Sequence, residues 1–194
     1  MKTFKEYLLE YKITKDTHTP PRIHEGDIEH EDFNKTELGK VGKYTITHYK
    51  HKKKGNHYTF VKDEHGGTVG SIEHEKPTKS GRLSITYIAR DKHDSEGTPI
   101  EHKGLMVDVL HHLIQHGHTL ESDTSNTEHG AHKMLQNLAK KPGVKTHIED
   151  DGKIIPHEGD ITSPENQKKY AIKPEGKYLK TGIQHHRLVF SKND

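Results

Sequence analysis

Histidine is the residue type with the most chemistry to offer in this chain, occupying 20 of 194 positions. An imidazole titrates near neutrality, moves protons and ligates metals. Protonating every histidine would raise the formal charge from +2 to +22, so mild acidification would turn the surface strongly basic. Metal binding, a response to pH and contact with polyanions are the functional readings. Compositional bias on a solvated surface is the plain one. His112 and His116 stand four apart, with His111 before them. That spacing can present two imidazoles to zinc from one helix. The His-Glu-x-x-His pattern is absent, however, and no acidic third ligand accompanies the pair. In so histidine-rich a chain such pairs arise by chance, and His129 with His132 or His185 with His186 carries no more weight. No metal site is assigned. Lys50-His51-Lys52-Lys53-Lys54 is a basic turn able to touch nucleic-acid phosphates without reading sequence, although solvated hairpin tips are often basic. No Ser-His-Asp arrangement stands out among so many candidates.

The elements that would position these groups must come from a lean composition. Only 27% of residues are hydrophobic and 31% are charged, which approaches the range of disordered chains. One domain is expected, its core drawn from about two thirds of the chain, with polar tails and loops around it. Acidic and basic residues are interleaved, so no large field of one sign arises at neutral pH. Cysteine is absent, which excludes disulfides and thiolate metal sites. No segment is apolar enough to span a bilayer, and no secretory signal is evident.

Alternation of β-branched and aromatic residues predicts strands over 43–51, 57–62, 68–74 and 82–90, joined by Gly-containing turns at 52–56, 63–67 and 77–81. The core is expected to begin near Val41. In the fourth strand Leu83, Ile85, Tyr87 and Ala89 would share a face. The period then changes. Leu105, Val109 and Leu113, flanked by Met106, Leu110 and Ile114, predict a helix within 101–116 that stops at Gly117. A short strand follows over 118–122 and a second helix over 127–140, ended by Pro142-Gly143. Strands are expected at 144–149 and 185–191, with an irregular excursion over 150–181 between them. A meander followed by strand–helix crossings predicts an α+β fold: a mixed, mainly antiparallel twisted sheet flanked by helices.

Residues 1–10 read as an address. Phe4, Tyr7, Leu8 and Tyr11 would line one stripe of a short helix on the polar tether that runs from 11 to 40. The run Met1-Lys2-Thr3-Phe4-Lys5-Glu6-Tyr7-Leu8-Leu9-Glu10 resembles the capsid-targeting sequence of internal head proteins of tailed bacteriophages. In that family the segment docks into the prohead scaffold, and a prohead protease cuts after a Leu-x-Glu tripeptide. The resemblance implies processing at Leu8-Leu9-Glu10, residence in the virion head, capsid or scaffold proteins as partners, and release into the host cytoplasm with the genome. The plain alternative is an N-terminal helix packed on its own domain.

The element order from Val41 to Phe190 resembles the GNAT acyltransferase fold. In that family a strand leads to a turn, Arg/Gln-x-x-Gly-x-Gly/Ala, that opens the helix holding the pyrophosphate of acetyl-coenzyme A. Free amides and the positive end of a helix attract phosphate, and glycine lets it approach. The matching strand is 82–90 and the matching turn is Glu101-His102-Lys103-Gly104-Leu105-Met106. The resemblance implies acetyl-coenzyme A as cofactor, held at Lys103, Gly104 and Leu105. Ser122-Asp123 and the Leu135/Leu138 pair are also similar to the corresponding stretch of phage GNAT-like proteins. This chain departs from the pattern at Glu101, where the family has Arg or Gln, and at Met106, where it has Gly or Ala. It lacks a Glu in the strand that often supplies the general base, and a Tyr in the 127–140 helix. Its 91–100 connection is long. His129 is the weak catalytic candidate. The reading is a virion protein with a GNAT-like N-acetyltransferase domain and a host protein as target. The alternative is a non-catalytic virion component in non-specific contact with DNA.

Overall fold

The computed structural model describes residues 25–28, 30–53, 55–75, 81–122, 131–150, 153–155, 160, 163, 165–166 and 187–193. The expected N-terminal helix and processing tripeptide, the tether up to residue 24, His129 and the His185-His186 pair lie outside these residues, as does most of the 150–181 excursion.

Nine strands form one sheet: β1 (Phe33–Val41), β2 (Tyr44–His51), β3 (His57–Lys62), β4 (Thr68–His74), β5 (Leu83–Arg90), β6 (Leu120–Ser122), β7 (Val144–Asp150), β8 (Lys153–Ile155) and β9 (Arg187–Lys192). Their order across the sheet is β1-β2-β3-β4-β5-β6-β9-β7-β8. β1 to β5 are an antiparallel meander. β5 and β6 are parallel, and β9 runs antiparallel between β6 and β7. Two helices, α1 (Leu105–Gln115) and α2 (Ala131–Ala139), complete the described fold. The expected α+β class with a mixed, mainly antiparallel sheet is what the chain adopts.

The strands form where alternation and turn chemistry coincide. Asp63 caps the β3–β4 turn by accepting the amides of His65 at 3.0 Å and Gly67 at 2.8 Å, an Asx arrangement suited to tight turns. The same carboxylate accepts the Ser95 amide at 2.8 Å and its hydroxyl at 2.5 Å. It thereby pins the long connection between β5 and α1 to the meander.

The sheet starts earlier than Val41. β1 is an edge strand with no buried residue, so its sequence carries no apolar alternation to announce it. Before it, Glu25 ties the chain to three strands. Its carboxylate pairs with Lys62 and Lys35 and accepts the Tyr49 hydroxyl. Burial alone would raise its pKa, but these hydrogen bonds and charges hold it below the usual value. Ile28, Tyr49 and Phe60 form a small buried cluster beside it.

The main core lies under α1. Leu105, Val109, Leu110, Leu113 and Ile114 are fully buried against Ile46, Val61 and Ile72 of the sheet and Leu138 of α2. Each such side chain contributes about 1.5–3 kcal/mol by leaving water. One expectation about β5 fails. Glu73 lies opposite Tyr87 and His74 opposite Ile85, so Thr86 is an extra residue that shifts the register. This bulge breaks the alternation. Leu83, Ile85 and Ile88 therefore join the main core, while Tyr87 does not.

Candidate functional site

Two places gather polar groups: the turn that opens α1, and the sheet face beneath the turn that closes it.

The opening turn carries the predicted cofactor residues. Gly104 caps α1 in the left-handed region, with φ 85° and no side-chain cap, a conformation glycine adopts without a steric penalty. Space around it is open, with no atom within 4 Å of where a Cβ would be. Leu105 donates its amide to His102 O at 3.3 Å. The amides of Met106 and Val107 follow, and first-turn amides have no acceptor within their own helix. Lys103 is exposed at the tip, and so is Glu101. Leu105 is fully buried, backbone included.

Met106 does not block the turn. Its side chain is 7% exposed and turned into the core. Its Sδ stands 3.0 Å from the place a Cβ would occupy on Gly70 of β4, so that glycine makes room for the thioether.

The sequence pattern missed two neighbours of this turn. Arg90, at the end of β5, donates to His102 O at 3.1 Å, which brings a guanidinium to the same loop. Asp108, in the first turn of α1, accepts His102 at 2.7 Å and Lys141 at 2.5 Å. Burial would raise the Asp108 carboxyl, but the hydrogen bonds and charges of Lys141 and His102 outweigh it and hold the group low. A signal was available for Arg90, a cation ending the strand that leads into the turn. Asp108 gave none, because Lys141 comes from beyond α2 and the course of the turn that carries His102 is not fixed by local pattern.

Beside this turn runs β5. Its parallel pairing with β6 covers Leu83, Ser84 and Ile85 against Leu120, Glu121 and Ser122. Thr86 to Arg90 extend past the last pair among the described residues. On β4 the carboxylate opposite that length is Glu73. Burial, and then the charge of Glu75, raise its pKa. Ser122 accepts the Leu188 amide at 2.9 Å, so its hydroxyl serves β9. Asp123 and His129 lie outside the described residues.

The second place was not foreseen. His48 of β2, His57 of β3 and His74 of β4 are buried on one sheet face, and His118 covers them from the turn after α1. His48 Nε2 lies 2.8 Å from His57 Nδ1. His48 Nδ1 lies 3.0 Å from Thr59 Oγ1, which lies 3.1 Å from His74 Nε2. Burial, with neighbouring imidazoles and Lys50, pushes His48 down to about 3 and His57 to about 4. His74 falls well below the ordinary value and His118 below it, burial again being the main cause.

The i, i+4 pair on α1 does not converge on a ligand. His112 donates Nε2 to Leu38 O at 2.7 Å, and His116 donates Nδ1 to His112 O at 2.8 Å. Among the described residues no group of three or more His, Asp or Glu side chains is spaced to hold a metal ion. No described helix is long and apolar enough to cross a membrane.

No family model matches the chain, and no curated protein or solved structure matches it.

Proposed function

We propose that the α1 opening turn and the end of β5 form the seat of acetyl-coenzyme A on a GNAT-like scaffold, in a protein carried inside a phage head. The observation that carries this reading is the Gly104 turn itself, a left-handed glycine with open space about it where α1 begins. β5 leads into that turn, and the strand in this place is the one along which the GNAT family admits pantetheine. The positive end of α1 and the cations of Arg90 and Lys103 favour a pyrophosphate there. Glu101 opposes it. Glu73, held above its ordinary pKa, is suited to take a proton from an attacking amine. The capsid-targeting resemblance of residues 1–10 supports the virion assignment.

The test is thermal. Acetyl-coenzyme A at about 100 times its dissociation constant stabilises a folded protein by about 2.7 kcal/mol, a shift of several degrees. Arg90→Ala should lose most of that shift without losing the fold. No shift at millimolar cofactor rejects the seat. Mass spectrometry of purified virions tests location separately, with a chain starting at Tyr11 expected and absence from particles decisive against it.

A second reading has its own support. Asp108 and Glu101 place two carboxylates about the α1 opening turn, and His102 and Lys141 are engaged with one of them. A scaffold that has lost the transferase chemistry and contacts DNA through its basic turns would tolerate those acids. Its mark is DNA binding that weakens with salt and strengthens below about pH 6.5.

A further inference from the structure

The buried imidazoles form a hydrogen-bonded chain, His57–His48–Thr59–His74. A neutral imidazole brings one N–H and one lone pair, and a threonine brings one O–H. Threaded in either direction, the chain leaves an N–H without an acceptor at one end and a bare lone pair at the other. If both flanking imidazoles donate to Thr59, the hydroxyl proton is left over instead. The two ends are His57 Nε2 and His74 Nδ1, each buried without a partner. The neutral chain is thus only just satisfied, and one added proton has no acceptor waiting.

The surroundings make that proton costly. From β1, Thr36 lies opposite His48, and Asn34 opposite Lys50. β2 adds Lys50, whose charge acts on His48 and His57. Ile85 of β5 lies opposite His74. The turn after α1 brings His118 and His116. Glu73, the next carboxylate along β4, falls on the opposite face by strand alternation. Among the described residues the groups facing the chain are neutral or basic.

We propose that this cluster is an acid-released latch: neutral, it holds the turn after α1 against β2, β3 and β4; protonated, it frees that turn and uncovers the sheet face beneath. His118 is the moving part. It is half-buried on an irregular segment, with Gly117 before it in the left-handed region, whereas His48, His57 and His74 are fixed within strands. Repulsion among imidazolium groups is relieved at least cost by lifting the turn.

Two measurements on the full chain test this between pH 8 and pH 4. Long-range nitrogen NMR reads the protonation of each ring, and amide hydrogen exchange, corrected for its intrinsic pH dependence, reads opening. His48, His57 and His74 should remain neutral at pH 6 and gain protons together below it. Protection of the 117–120 amides and of β2 to β4 should fall in the same range by roughly a hundredfold per pH unit, the slope of an opening that takes up two protons. His118→Gln should flatten that slope by about tenfold per unit, while the rings of β2 to β4 stay neutral at pH 7. Separate titration of the rings near pH 6.5, protection unchanged through the titration, or an unaltered slope in the variant would overturn the latch. Should the variant not fold, the wild-type slope and ring titrations still decide.

Discussion

Glu121 of β6 accepts Arg187 of β9 at 2.5 Å, and Arg82, just before β5, reaches its other oxygen at 3.0 Å. The carboxylate is 2% exposed, so its charge is tolerable only with both guanidiniums in place. Glu121→Ala strands two cations at the middle of the sheet. The expected loss is on the order of 3 kcal/mol, read as a lower urea midpoint. A loss below about 0.5 kcal/mol, the size of an exposed pair, would show that the guanidiniums rehydrate freely.

Gly67 and Ser95 meet too closely for a side chain on the glycine. A Cβ there would lie 2.3 Å from the serine Cβ. Gly67→Ala must displace the loop that Asp63 anchors, at about 1–3 kcal/mol. The paired variant Gly67→Ala/Ser95→Gly should recover part of the loss, which a double-mutant cycle would measure.

Gly104→Ala separates backbone strain from crowding. With φ 85° and open space around it, an alanine meets no neighbour but adopts a left-handed backbone at about 1–2 kcal/mol. The chain should fold with that loss of stability. Its α1 opening turn should relax, weakening any acetyl-coenzyme A shift alongside.

Stability should fall on acidification, and the sign follows from His48 at about 3 and His57 at about 4 against an ordinary 6.5. Below 6.5 the unfolded chain takes up protons that the folded one refuses. Stability is therefore full above that value and declines as pH falls towards 4, by up to about 1.4 kcal/mol per pH unit for each such histidine. Chemical denaturation at pH 7.5 and 5.0 measures it. Equal stability at both would mean that these rings titrate freely in the fold.

The meander and α1 were legible because local signals agreed there. Turns carrying glycine and Asp63 fell between alternating strands, and α1 kept an unbroken apolar stripe from Leu105 to Ile114. β1 was not legible, because Phe33–Val41 is an exposed edge held by backbone pairing. The face of β5 was misjudged because a bulge at Thr86 is fixed by register with β4 rather than by local pattern. The α1 opening turn was found at Lys103, Gly104 and Leu105, yet the course of Met106 depended on Gly70, far away in sequence. The imidazole cluster was hidden for a related reason. His48, His57 and His74 look like surface histidines until pairing sets His57 against His74 and His48 against Thr59.

β6 also has a mechanical meaning. Among the described residues the five-strand meander and the β9-β7-β8 group are bridged in the sheet by β6, with three register pairs on one side and two on the other. Under tension applied between residues 44 and 148, rupture should begin along this seam, where the chain changes from antiparallel to parallel pairing, with the meander surviving as an intermediate of measurable contour length.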